Sequence, residues 1–167
     1  MAIWRSLKKL FRYNELYPVG RYDMVYSQKP REPDFFCYTD GASRGNPGPA
    51  SYAFLVVKEE TIVHEESGFI GVSTNNVAEY MAVIHGLQWL ATVTCGILQV
   101  FSDSELVMRQ LSGTYAVKKP HLATLHREVS ALCRRFEKVT FHSVPRDYQY
   151  IRQADALCNQ ELDKQRV

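Results

Sequence analysis

The chain has 167 residues, 46% of them hydrophobic and 23% charged, with a net charge of +2, which suits one globular domain able to bury a core. No apolar run approaches the roughly 18 to 20 residues that span a bilayer, and the first residues lack the apolar core and small-residue cleavage site of a secretory signal, so a protein with no membrane span is expected. Cys37, Cys95, Cys133 and Cys158 form no CxxC pair, so neither a disulfide framework nor a zinc site is expected, and the setting read from them is reducing and cytoplasmic.

In chain order, residues 1–33 come first, with seven basic side chains against three acids, a charge of +4 that leaves the remainder at −2. Within them Ile3, Trp4, Leu7, Leu10 and Phe11 recur at helical spacing, with Arg5, Lys8, Lys9 and Arg12 in the gaps, which predicts a basic amphipathic helix. Pro18, Gly20, Pro30 and Pro33 punctuate a tyrosine-rich connector, so residues 1–33 are read as an extension and 34–167 as the main domain. There, FFCYTDGAS reads as a strand, RGNPGP as a turn, ASYAFLVV as a second strand and TIVHEESGFI as a third. A long helix from about Asn76 to Thr94 follows, then the short strand ILQVFS and helices from Ser104 to Leu111 and from about His121 to Phe136. The strand KVTFHSV and a helix from about Arg152 close the chain. Short connections make the first three strands antiparallel neighbours; the alternation after them gives an α/β domain, a mixed sheet flanked by helices.

The acids pose the functional question. In the first strand Phe36, Tyr38, Asp40 and Ala42 share one face, yet aspartate is depleted in strands and rarely buried unpaired. An Asp-Gly turn would account for Asp40, but GNPG shortly after is the better turn, and two turns so close leave no strand between them. Glu79 lies in a helix that is apolar on most sides, and its spacing from Asn76 also suits a capping box. Asp103 stands where a strand gives way to a helix, a position that the helix dipole alone would favour. Asp155 is one polar position near the start of the last helix.

Taken together, the inferred topology can bring these four acids to one sheet edge. Carboxylates about 4 Å apart repel by about 4 kcal/mol per pair at an effective dielectric of about 20. A positive partner is required, and an all-oxygen set selects a hard cation, Mg²⁺ or Mn²⁺. Two such ions form a clamp for in-line displacement at phosphorus, so the chemistry suggested is phosphodiester hydrolysis.

The stretches YTDGASRGNPGPASYAF, STNNVAEYMAVIHGL, FSDSELVMRQLSGTYAVKK and VPRDYQYIRQADAL resemble, in order, the four signature blocks of type 1 ribonuclease H, over Phe35 to Asp163. The resemblance implies the ribonuclease H-like fold, with three antiparallel strands and then two parallel ones in a five-stranded sheet. It implies endonucleolytic cleavage of the RNA strand of an RNA/DNA hybrid, leaving 5′-phosphate and 3′-hydroxyl ends. Asp40, Glu79, Asp103 and Asp155 would be the catalytic set, holding two Mg²⁺ ions, or Mn²⁺, with Asp40 bridging both. Gly41, Asn46, Thr74, Asn75 and Asn76 match substrate-binding positions, where amides reach minor-groove edges and 2′-hydroxyls and a helix start suits a phosphate. A monomer is expected. Double-stranded RNA remains a further candidate partner, and a non-cleaving module for hybrid or double-stranded RNA is the competing reading; four acids that repel phosphate argue against it.

Three departures from the pattern stand out. After the third block LSGTYAVKKPHLATL passes directly to the next helix, so the basic, Trp-rich protrusion of larger members is missing, as in a compact, archaeal-like branch. The loop PRDYQYIRQ has no histidine, which makes Arg146 the candidate for an auxiliary role in protonation or product release. Ile151 stands where the family usually has asparagine. The basic front segment would add phosphate contacts in place of the protrusion; packing on the domain, an organelle presequence and a membrane-surface helix are open alternatives for it.

Overall fold

The computed structural model describes residues 31–165; the basic amphipathic helix expected near the start of the chain lies outside them. The described elements are β1 (Phe35–Ser43), β2 (Gly48–Lys58), β3 (Thr61–Ser73), α1 (Asn75–Val93), β4 (Ile97–Ser102), α2 (Glu105–Leu111), α3 (Pro120–Cys133), β5 (Lys138–Ser143) and α4 (Gln149–Asp163). They form one five-stranded sheet in the order β3-β2-β1-β4-β5. The first three strands pair antiparallel, as their short connections predict, and β4 and β5 run parallel to β1, as the resemblance implies.

Alternation along the strands separates two cores. Phe54 and Val56 of β2 pack with Leu87 and Leu90 of α1 on one face, where each fully buried leucine contributes about 1.5–3 kcal/mol. Ala53 and Leu55 of the same strand face Ala154 and Cys158 of α4 on the other. The α4 face continues into an aromatic group in which Tyr38 stacks on Phe101 and Tyr148 at centroid distances of 4.9 and 5.5 Å. All four cysteines are free. No helix of the described residues is long and apolar enough to cross a membrane.

Element boundaries depart from the sequence reading in physically traceable ways. Thr74 caps α1, its hydroxyl accepting from the Val77 N–H at 3.4 Å, so the helix begins at Asn75. α3 starts on Pro120, a favoured first helical position, and ends at Cys133, three residues before the expected Phe136. α4 begins at Gln149 rather than Arg152; Tyr150 and Ile151 look strand-like, but packing with Tyr38 draws them into the first turn. β3 continues past Ile70 to Ser73, with Gly71 at φ +80° absorbing an irregularity opposite Ala50 and Ser51.

Candidate active site

β1 pairs with β4 only from Phe35 to Tyr38, so beyond Tyr38 its edge opens toward the C-terminal end of β4. Asp40 sits in that opening. It is 5% exposed, and its Oδ2 is buried with no hydrogen-bond partner in the protein. The strand geometry thus removes the Asp-Gly turn as the reason for this aspartate.

Glu79 reaches the opening from the second turn of α1, and a glycine makes that approach possible. A Cβ on Gly41 would collide with the backbone of Ala78 and Glu79, so Gly41 serves helix–strand contact as well as lining the cleft. The carboxylate of Glu79 is 4% exposed. It accepts a hydrogen bond from Ser102 Oγ at 3.2 Å and one from the Gly41 backbone N–H. With Thr74 as the cap, the capping-box account of Glu79 falls away.

Asp103 occupies the link between β4 and α2, ahead of the N-cap Ser104. Carboxylate oxygens of Asp40, Glu79 and Asp103 all lie within 4.8 Å of one another. Asp155, the fourth expected acid, is on the second turn of α4 rather than opening it, and lines the same cleft of about 460 Å³. It accepts from Arg146 Nη2 at 2.8 Å and from Asn159 Nδ2 at 3.2 Å. Arg146 Nε also lies 3.9 Å from Asp103 Oδ2, so this exposed guanidinium bridges two of the acids.

The electrostatics follow from that crowding. Burial, then the charges of Asp103 and Asp155, push the Asp40 carboxyl up to about 7. Glu79 is driven well above the usual carboxylate range by burial first and by Asp40 and Asp103 next. Asp103 is also raised by burial, against the pull of Arg146. An all-oxygen set, mutual repulsion and an orphaned Asp40 Oδ2 fit a hard divalent cation.

The other expected residues divide. Asn75 lines the acidic cleft. Asn46 Oδ1 accepts from the Asn75 N–H at 3.2 Å, and Thr74 caps the same helix, so both shape the start of α1. Asn76 lines a neighbouring groove of about 480 Å³ with Gln110, Tyr115, Lys118 and Lys119. Sequence reading passed over Ser102, Asn159 and Arg44, the last of which also lines the cleft. The available signals were a serine directly before Asp103 and an asparagine one helical turn after Asp155.

The family model described as reverse transcriptase-like matches residues 38–161. A bifunctional protein of Mycobacterium tuberculosis is 40% identical over 126 residues, 74% of this chain and 34% of the relative. Ribonuclease HI of Halobacterium salinarum is 39% identical over 127 residues, 75% of this chain and 63% of the relative. The chain therefore spans about a third of the mycobacterial protein's length and under two thirds of the archaeal one's. A crystal structure of an RNase H1 in complex with an RNA/DNA hybrid superposes with a TM-score of 0.73 at 38% identity, covering 78% of this chain and 97% of that one.

Proposed function

Because the chain belongs to the reverse transcriptase-like family, whose model spans most of its length, we propose that it is a ribonuclease H that hydrolyses the RNA strand of RNA/DNA hybrids. The observation that carries this reading is the convergence of Asp40, Glu79 and Asp103 oxygens within 4.8 Å in the lining of a polar cleft. The resemblance to an RNase H1 solved with a hybrid supports the substrate class.

In this reading Asp40, Glu79, Asp103 and Asp155 would hold two Mg²⁺ ions, or Mn²⁺, and the chemistry such a pair would supply is activation of water and stabilisation of the leaving oxygen, with 5′-phosphate and 3′-hydroxyl ends as the expected products. Asp40 presents a carboxylate whose Oδ2 has no competing donor in the protein. Glu79 is oriented by two donors before any ligand arrives. Arg146 balances Asp103 and Asp155, and its exposed guanidinium would meet a backbone phosphate and help the product leave. Asn75 lines the cleft where the cut strand would lie, with Gly41 beside it; amide contacts to 2′-hydroxyls distinguish RNA from DNA. Asn46 and Thr74 serve the substrate by fixing the start of α1, and Asn76 faces the second groove. All four acids come from one chain, so a monomer suffices, and the free thiols support a cytoplasmic setting.

The test is Mg²⁺-dependent cleavage of a labelled RNA/DNA hybrid, beside matched RNA and DNA duplexes, by the protein and by Asp40→Asn. Cleavage confined to the RNA strand of the hybrid, lost in the variant and in chelator, is expected. Hybrid binding without cleavage under either Mg²⁺ or Mn²⁺ would instead favour a non-cutting binding module.

A further inference from the structure

We propose that Ser102 is a positioning residue that sets two of the cation-holding acids with one hydroxyl. Ser102 is the last residue of β4 and only 1% exposed. Its Oγ accepts from the Ser104 N–H at 3.1 Å and donates to Glu79 Oε2 at 3.2 Å. A serine hydroxyl has a single proton. Because the backbone N–H of Ser104 occupies a lone pair, that proton is directed at Glu79, and the two bonds in series strengthen each other.

Each end of this relay governs a different acid. At one end Glu79, almost fully buried, has Ser102 as one of two donors to its carboxylate, the other being the Gly41 N–H. Loss of the hydroxyl leaves Oε2 without a hydroxyl donor in a site that penalises charge. At the other end the contact spans Ser102 to Ser104 and closes a short turn around Asp103, whose carbonyl is tied in turn to the Glu105 N–H at 3.0 Å. The relay therefore links α1 to the β4–α2 connection across 23 residues of sequence. A serine that merely closed a turn would need no second partner; here the proton goes to a ligand group.

This role rests on the metal-dependent reading above and extends it to a residue that need not touch the ion. Groups that orient metal ligands typically change affinity or activity about 10- to 100-fold when removed. Mn²⁺ binding to the full-length chain, without nucleic acid, would be followed by the loss of the free-ion paramagnetic resonance signal, with thermal melts on the same samples. Ser102→Ala should weaken Mn²⁺ binding by about tenfold or more, and Ser102→Thr, which retains the hydroxyl, should stay near wild type. Combined with Glu79→Gln, the loss from Ser102→Ala should largely vanish, because the two act as one unit. Unchanged affinity in Ser102→Ala, or an equal loss whether or not Glu79 is present, overturns the proposal while leaving the metal site standing. Wild-type binding that survives Asp40→Asn instead overturns the metal reading, and the role of Ser102 with it.

Discussion

The carboxyl of Asp40 has an ordinary pKa of 3.8, and burial with Asp103 and Asp155 nearby moves it up to about 7 in the folded chain. A group with a higher pKa folded than unfolded favours the fold while protonated. The ion-free protein is therefore expected to lose stability as pH climbs from about 4 to about 7, Asp40 alone contributing about 1.4 kcal/mol for each pH unit at most and the raised Glu79 and Asp103 adding to the decline. Melting curves in chelator should show that decline in the wild type and a flatter profile in Asp40→Asn. Adding Mg²⁺ at pH 8 should raise the wild-type midpoint far more than the variant's; parallel profiles would refute the assignment. The same residue was the most legible in the sequence, because an acid inside an apolar strand has few innocent explanations. Glu79, Asp103 and Asp155 each had one, and only their joint placement made them readable. Ser102 and Asn159 left only weak signals, since a serine before an acid and an asparagine in a helix are commonplace until their distances to Glu79 and Asp155 are known.

At the level of elements, the site depends on how closely α1 approaches β1, and that approach runs through Gly41. Gly41→Ala should push the helix away and carry Glu79 with it. A displacement of about 1 Å at such a centre costs on the order of 10²-fold in rate, and overpacking costs about 1–3 kcal/mol of stability. Hydrolysis rates at saturating hybrid, paired with denaturant melts, would check both; activity within twofold of wild type would mean that the contact does not set Glu79. The antiparallel sense of the first three strands was legible because short connections constrain it, whereas the parallel pair came only with the family resemblance. Helix ends were less so: the first turn of α4 is written in residues that prefer strands, and only the aromatic packing around Tyr38 makes them helical. The end of β3 was hidden for a related reason, since glycines normally signal a turn and Gly71 here prolongs an edge strand.

For the whole molecule, charge is the informative property. Residues 1–30 hold six basic side chains and two acids, while the remainder of the chain, with its acidic cleft, is slightly negative. We propose that the front segment strengthens the hold on hybrid by neutralising backbone phosphates, a role motivated by its positive charge beside a slightly negative remainder. A chain lacking residues 1–30 should bind hybrid more weakly and with a shallower dependence on salt, the slope changing by about 0.9 for each phosphate that is no longer neutralised. Binding isotherms across a salt series would decide it, and an identical slope would sink the idea. The sequence offers a composition shift and prolines as signs of a boundary, but not what the front segment touches.

Pairing of the central strand β1 with β2 on one side and β4 on the other also orders events in time. Its pairing with β2 is a hairpin and closes over few residues, whereas Tyr38 meets Phe101 only after the intervening strands and helix have been brought round. Closing a longer loop costs more chain entropy, and such pairings form more slowly. Because the proposed site joins Asp40 to Asp103 across that late seam, an early hairpin holds only part of it. Capture of a divalent ion during refolding should therefore lag the first gain of strand structure, making the ion a clock for the final closure of the chain.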